Sequence, residues 1–345
     1  MEITCKKLKV IATKNTTYHC LPQEFTFHSK IKNKIYDNRI RLYQSRLAIE
    51  ITSNEVVPCN NLWNICLDIL RFFMIFKGYF FHISKISFSD SQASKSELIS
   101  QNKNCRETLL FYYESLEYLD HQFDFRINLD DRFEQVFNKW IDIESKWGIN
   151  HKVYLIALGN SKMPQDLRFG LLLQCFEPLF DYLNKTAQLT ISPTNKEYRN
   201  SFSDYINQLI SSDTSDIWNK TNKGEFQKFL TESIKKHFFD RFSLKEKLHE
   251  IINIFGKELF FKEMSEDPQL AELLKKFINT RNRIFHIIDN QKNFLNGCEC
   301  AGYGMKLSIL YRRILLDILG IDFNSYSSKY NSLIDSIDEW IKREC

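Results

Sequence analysis

The chain has 345 residues, 43% of them hydrophobic and 26% charged, with a formal net charge of +4. That length allows two domains on a prior of about 100 to 200 residues each, and the composition is that of a folded chain rather than a disordered one. The small positive charge excludes a duplex-coating protein with a strongly basic face, and it permits an RNA partner.

With 29 Phe and 15 Tyr against 10 Gly and 6 Pro, long regular elements with thick aromatic cores are expected. No stretch matches G-x-G-x-x-G or G-x-x-x-x-G-K-[ST], so dinucleotide-binding and P-loop chemistry lose their main support.

Up to about residue 57 apolar and polar residues alternate. "ITCKKLKVIA", "EFTFHS" and "RLYQSRLAIEITS" predict strands. The spacing then turns helical, with Leu62, Ile65, Cys66, Ile69, Leu70 and Phe73 on one stripe expected in the core. The enclosing run 62–81, "LWNICLDILRFFMIFKGYFF", has the length of a membrane span. Asp68 and Arg71 sit in its middle, however, and each would cost about 2.5 to 3.5 kcal/mol at a bilayer centre. A buried helix running into a strand is the expectation, with no membrane partner. Gly78 marks the stop, "YFFHISKISFS" returns to strand composition, "DSQASKSELISQNKN" reads as a loop, and "TLLFYYESL" as one more strand.

From about residue 131 the pattern is helical to the end. Asp130 or Asp131 offers an N-cap to a helix with Phe133, Val136, Phe137, Trp140 and Ile143 on one face. Pro164 suits the start of the next helix, and Pro178 predicts a kink near Gln174 to Glu177. Later helices are expected over 199–212, 223–238, 243–255, 268–288, 302–319 and 327–343, with Asp267 and Pro268 opening one and Gly320 ending another. The fold class is therefore α+β: a strand-rich mixed module over 1–130, sensing or regulatory, then an all-α bundle over 131–345.

Nine cysteines without a C-x-x-C pair indicate reduced thiols and a cytoplasmic location. Cys298 and Cys300 are read as free thiols, since no partner pair follows at zinc spacing, and Cys175 as a packing residue. The first residues, "MEITCKKLKV", lack the apolar core of a signal peptide. The eight histidines show no H-x3-H or H-E-x-x-H spacing, so neither a metal nor another cofactor is expected. "IKKHFFDRFSLKEK" is basic with interleaved aromatics and reads as an amphipathic helix or an RNA groove.

The sharpest candidate is "INTRNRIFHI", residues 278–287. A histidine can take a proton from a ribose 2′-OH or return one to a leaving 5′-oxygen. An arginine can hold the charge that builds on phosphorus, and an asparagine can position phosphate or imidazole. Asn282 and His286 are an i, i+4 pair on one face, whereas Arg281 stands about 140° round the helix from His286. Its long side chain or a second copy of the chain must complete the site; a two-fold dimer would supply the latter. Arg283, Lys275 and Lys276 suit RNA phosphates and equally suit a solvated helix face.

This helix resembles that of the HEPN family (higher eukaryotes and prokaryotes nucleotide-binding domain), whose ribonucleases carry Arg, a polar residue often Asn, three variable residues and His. "LRFGLLLQCFEPLFDYL" looks like the first core helix of the ApeA-like branch, with Glu177 in the expected kind of position. "MKLSILYRRILLDILGI" looks like the apolar helix after the motif. The strand-rich module and "FNKWIDIESKW" are also similar to that branch, which is associated with bacterial defence against phage. The resemblance implies a HEPN-like bundle that dimerises and a metal-independent endoribonuclease of the abortive-infection type, leaving a 2′,3′-cyclic phosphate. Arg281, Asn282 and His286 would be catalytic, and Glu177 would support Arg281 or His286 or be satisfied locally. RNA, transfer RNA among the candidates, would be the substrate, and a phage-derived trigger would release the activity. The competing expectation is a non-catalytic HEPN-like bundle that dimerises or binds a nucleotide or a partner.

Overall fold

The computed structural model describes residues 4–13, 23–31, 34–42, 46–77, 82–89, 132–159, 162–186, 242–260, 267–287, 292–321 and 327–345, together with single positions between 201 and 228. Its contacts divide the chain into two compact units, Met1–Cys175 with Asn296–Cys345, and Phe176–Leu295. Residue 130, where a boundary was expected, lies outside the described residues.

The first unit opens with strands β1 (Thr4–Thr13), β2 (Gln23–Ile31), β3 (Lys34–Leu42) and β4 (Arg46–Pro58). Helix α1 (Cys59–Lys77) and strand β5 (His82–Ser89) follow. The five strands form one sheet in the order β2-β3-β4-β1-β5, with every neighbouring pair antiparallel. The stretch "RLYQSRLAIEITS", expected to be strand, supplies the end of β3 and the start of β4, and Leu42 pairs with Leu47. Alternation runs on from one strand to the next in the sequence, so periodicity by itself does not reveal the division.

Register sets the buried face. Phe25, Ile40, Ile49 and Val10 lie side by side across four strands, each 7% exposed or less. The neighbouring row runs Phe27, Asn38, Ile51, Leu8 and Phe88. Asn38 is tolerated in that apolar row because its Nδ2 donates to Ser29 Oγ, Tyr36 O and Phe27 O. The six residues expected on the α1 stripe are all buried.

Helix α2 (Phe133–Gly159) buries Phe133, Val136, Phe137, Trp140 and Ile143, the five positions the spacing predicted. Phe133 stacks on Phe25 at 4.3 Å between centroids, Phe137 meets Phe27 at 4.5 Å, and Trp140 meets Phe72 and Phe76 of α1 edge-on. Helix α3 (Gln165–Gln174) starts at Pro164 and is followed by α4 (Phe176–Lys185). The expected kink is thus a break at Cys175, and Pro178 falls in the first turn of the second helix, where its missing N–H costs nothing.

Helices α3, α8 (Gly297–Leu319) and α9 (Ser327–Glu344) complete the unit. α8 begins five residues earlier than expected, at a capping box in which Asn296 and Glu299 exchange bonds. Gly320, at φ 76°, ends it as expected. Gly302 lies inside the helix, and a Cβ there would collide with Ile341, so its lack of a side chain lets α8 and α9 approach closely. Cys298, expected as a free thiol, is disulfide-bonded to Cys345. That pairing depends on the antiparallel return of α9 along α8 and has no spacing signature. Cys300 and Cys175 are buried thiols.

The second unit contains α4, α5 (Leu244–Phe255), α6 (Lys257–Phe260) and α7 (Asp267–Phe285). α5 starts at a full capping box from Ser243 and Glu246. Lys247 Nζ joins it to Asp181 at 2.9 Å and lies over the ring of Phe180. Leu270, Leu274, Phe277 and Thr280 form the buried stripe of α7. Over 199–212 and 223–238 the positions described, among them Ser201, Tyr205, Leu209 and Glu225, are helical. The strand expected at 108–116 and most of "IKKHFFDRFSLKEK" lie outside the described residues. Among the described residues no helix is long and apolar enough to cross a membrane.

Candidate active site

Helix α7 carries Arg281 and Asn282 close to its C-terminal end, and His286 is the first residue beyond it. The helix was expected to reach 288 with Ile284 and Ile288 in the core. Instead Ile287 turns to φ 51° and is 82% exposed, Ile284 is half-buried, and Ile288 lies outside the described residues. The apolar spacing of "RIFHII" carries no Gly or Pro stop, so the helix end was not visible in it. What ends the helix is the returning chain. Asn279 Nδ2 donates to the carbonyls of Lys292 and Asn293 at 2.9 and 3.0 Å, and Leu295 N donates to Thr280 Oγ1 at 2.9 Å.

The left-handed position after His286 would suit Gly. A β-branched Ile there holds strain of about 1 to 3 kcal/mol, which persists only because the surrounding bonds enforce it. Despite the turn, His286 N still donates to Asn282 O at 2.9 Å, so the i, i+4 relation of the two residues survives.

Arg281 leaves the half-buried flank of the helix and reaches round it. Its Nη1 lies 2.9 Å from His286 Nε2 and donates to Asn282 Oδ1 at 3.2 Å, and its guanidinium lies 5.7 Å from the centre of the Phe285 ring. The angular gap seen in the sequence is therefore spanned by the side chain of the same copy. Because a guanidinium only donates, His286 Nε2 must present its lone pair to Arg281, which puts the ring proton on Nδ1. The arrangement sets an imidazole nitrogen beside a permanent cation, exposed at a helix end. Together the two can take a proton and stabilise an anion.

Lys275 and Asn282 share one face of α7, and Lys276, Asn279 and Arg283 share the next. Lys275 and Arg283 are exposed and Lys276 is half-buried. Glu177 opens α4 in the same unit, also half-buried. Asn279, Thr280 and Phe294 were not singled out in the sequence. The available signal was two poor helix formers, Asn and Thr, directly before Arg281, since such side chains often bond backbone outside the helix. No group of His, Cys, Asp and Glu suited to a metal ion occurs among the described residues.

Residues 171–325, which include this helix end, match the Apea-like HEPN family. Over that stretch, just under half of its length, the chain is similar to an Apea-like HEPN domain. HEPN domains are generally of ribonuclease type and commonly bind RNA and dimerise. The match runs from the second half of α3 to just beyond α8, so it contains the whole stretch after the motif and, from Leu171 on, the stretch before it. No curated protein and no solved structure matches the chain.

Proposed function

We propose that the chain is a metal-independent endoribonuclease effector of antiviral defence, of the abortive-infection type. The observation that carries this reading is the contact between Arg281 Nη1 and His286 Nε2 inside the matched domain. When a phosphodiester enters, a phosphate oxygen takes the donor of Arg281, and Nε2 is freed to accept the 2′-OH proton. The 2′-oxygen attacks phosphorus, Arg281 holds the added negative charge, and the bond to the 5′-oxygen breaks to leave a 2′,3′-cyclic phosphate. The leaving oxygen takes its proton from an imidazolium or from water. Asn282 orients the guanidinium through its Oδ1. Glu177 is a candidate positioning residue, and Lys275, Lys276 and Arg283 contact RNA phosphates.

On this reading the HEPN domain acts as a homodimer in the cytoplasm, with a phage-derived trigger and RNA, transfer RNA included, as its partners. The strand-rich region senses or restrains. Purified protein incubated with total RNA should cleave it in EDTA, and Arg281→Ala and His286→Ala should each lose at least about 100-fold in rate, the scale of a general acid–base contribution. Fragments should end in a cyclic phosphate, and an all-deoxy substrate should survive. Equal cleavage by the three proteins, or loss of activity on chelation, would sink the assignment. A dimer that binds RNA and cleaves none with its trigger present would instead establish a binding module.

A further inference from the structure

We propose that Phe294 and Arg283 form a stacking platform that seats one unpaired base of single-stranded RNA beside the Arg281, Asn282 and His286 cluster. The proposal rests on the ribonuclease reading and adds to it the form of the substrate. The Arg283 guanidinium carbon lies 4.1 Å from the centroid of the Phe294 ring, close enough for the two planes to stack. Both partners face solvent: Phe294 is 38% exposed and Arg283 is exposed as well.

The ring is fixed by its surroundings rather than by burial. Asn279 holds the carbonyls of Lys292 and Asn293, Asn293 Nδ2 donates to Glu272 Oε1 at 2.5 Å, and Leu295 N donates to Thr280 Oγ1. These bonds clasp the residues on either side of Phe294 to one stripe of α7 and set Asn293 at φ 59°. A platform held in place before its ligand arrives loses little freedom on binding. Arg283 and His286 are three residues apart at the end of α7, so the platform and the imidazole border the same end of the helix.

The chemistry of the patch selects the occupant. A stacked guanidinium leaves its other plane and its N–H groups for a base and its phosphate. Lys276 lies on the same face of α7 as Arg283, and exposed Lys292 stands two residues before Phe294, while the carboxylate of Glu272 is engaged by Asn293. Exposed aromatic surface interleaved with cations is the pattern of a single-strand site. A paired base would keep its faces inside the stack, so a duplex is excluded from the platform. An apolar protein face would strand these charges without partners.

The test is anisotropy titration of a labelled, unstructured RNA oligonucleotide and of its duplex, with His286→Ala as the non-cleaving background. Adding Phe294→Ala should weaken single-strand binding about 10-fold, within the range for loss of one stacked base. Phe294→Trp should restore it, with the melting temperature the same in all variants. Duplex affinity should be unchanged by either substitution. Unaltered single-strand affinity in Phe294→Ala, an equal loss on the duplex, an equal loss in Phe294→Trp, or no RNA binding by the parent protein would overturn the platform. The ribonuclease reading fails separately: wild-type protein would then bind single strands in a Phe294-dependent way and cleave none of them.

Discussion

Thr280 is 2% exposed, and its hydroxyl is used twice: Oγ1 donates to Lys276 O at 2.8 Å and accepts from Leu295 N at 2.9 Å. The second bond fixes where the chain returns to α7 and so where the helix must stop. Thr280→Val keeps the volume and removes the bond that the Leu295 amide makes to Oγ1, at a cost of about 0.5 to 1.5 kcal/mol. A urea unfolding curve should show a loss of that size. Because the turn beyond Phe285 would also relax, RNA cleavage should fall more than the loss of folded protein accounts for. Full activity in a destabilised Thr280→Val protein would mean that the clasp supports the fold only.

Where α1 and α2 meet, three buried ionisable groups and the half-buried Asp68 lie together. Arg71 pairs with Asp68 at 2.5 Å and with Glu144, and the other oxygen of Glu144 meets His151 Nδ1 at 2.5 Å. Trp140 stacks on the His151 ring at 4.6 Å and donates its indole N–H to the carbonyl of Asp68. Asp68 and Arg71 are the two residues that argued against a membrane span. Their partners lie about 70 residues further along the chain, on a helix that no local pattern brings next to them. Glu144→Ala would leave a buried guanidinium and an imidazole without their shared partner, and should destabilise the protein by about 3 to 5 kcal/mol, read as a shift of the urea midpoint.

The same cluster predicts a pH dependence. Burial pushes the Asp68 carboxyl up to about 7 against the opposing charge of Arg71, with the charge of Glu144 adding to the rise. The ordinary value for an unfolded Asp is about 3.9. Between those values the folded chain keeps a proton that the unfolded chain releases, so this contribution is full below about pH 4 and is lost as the pH rises to about 7. Glu144 runs the other way. Burial would raise it, but His151 and Arg71 outweigh burial and hold it below the usual carboxylate range, so its contribution is lost as the pH falls through that lowered value. Asp68→Asn should therefore flatten the decline in stability between pH 5 and 7.5. Parallel curves for Asp68→Asn and the wild type would remove Asp68 as the cause.

At the scale of the whole chain, the disulfide closes α8 and α9 into a loop across a separation of 47 residues. Chain entropy puts its effect at no more than about 4 kcal/mol for such a loop. The helices already pack closely where Gly302 meets Ile341. Reductant and Cys345→Ser should lower the urea midpoint of the wild type to a common value, and reductant should leave Cys345→Ser unmoved. A wild-type midpoint indifferent to reductant would show that the bond adds nothing to the packing.

Much of the architecture was legible because it follows from local periodicity. Alternation marked most of the strands, the 62–76 stripe marked the core face of α1, and five aromatic and aliphatic positions marked the core face of α2. Gly320 and Pro178 punctuated helices for steric reasons that hold in any context. The types and spacing of Arg281, Asn282 and His286 likewise stood in the sequence, with the i, i+4 relation that still joins two of them. Tertiary structure decided the rest: the pairing of β3 with β4, the Cys298 to Cys345 bond, the partners of Arg71, and the stop of α7 at Phe285. Each depends on a segment distant in sequence, and periodicity describes only neighbours along the chain. Whether Arg281 could reach His286 within one copy was open for the same reason. The sequence set the two about 140° apart, and the turn after Phe285, pulled in by Asn279 and Thr280, brought the imidazole within 2.9 Å of the guanidinium.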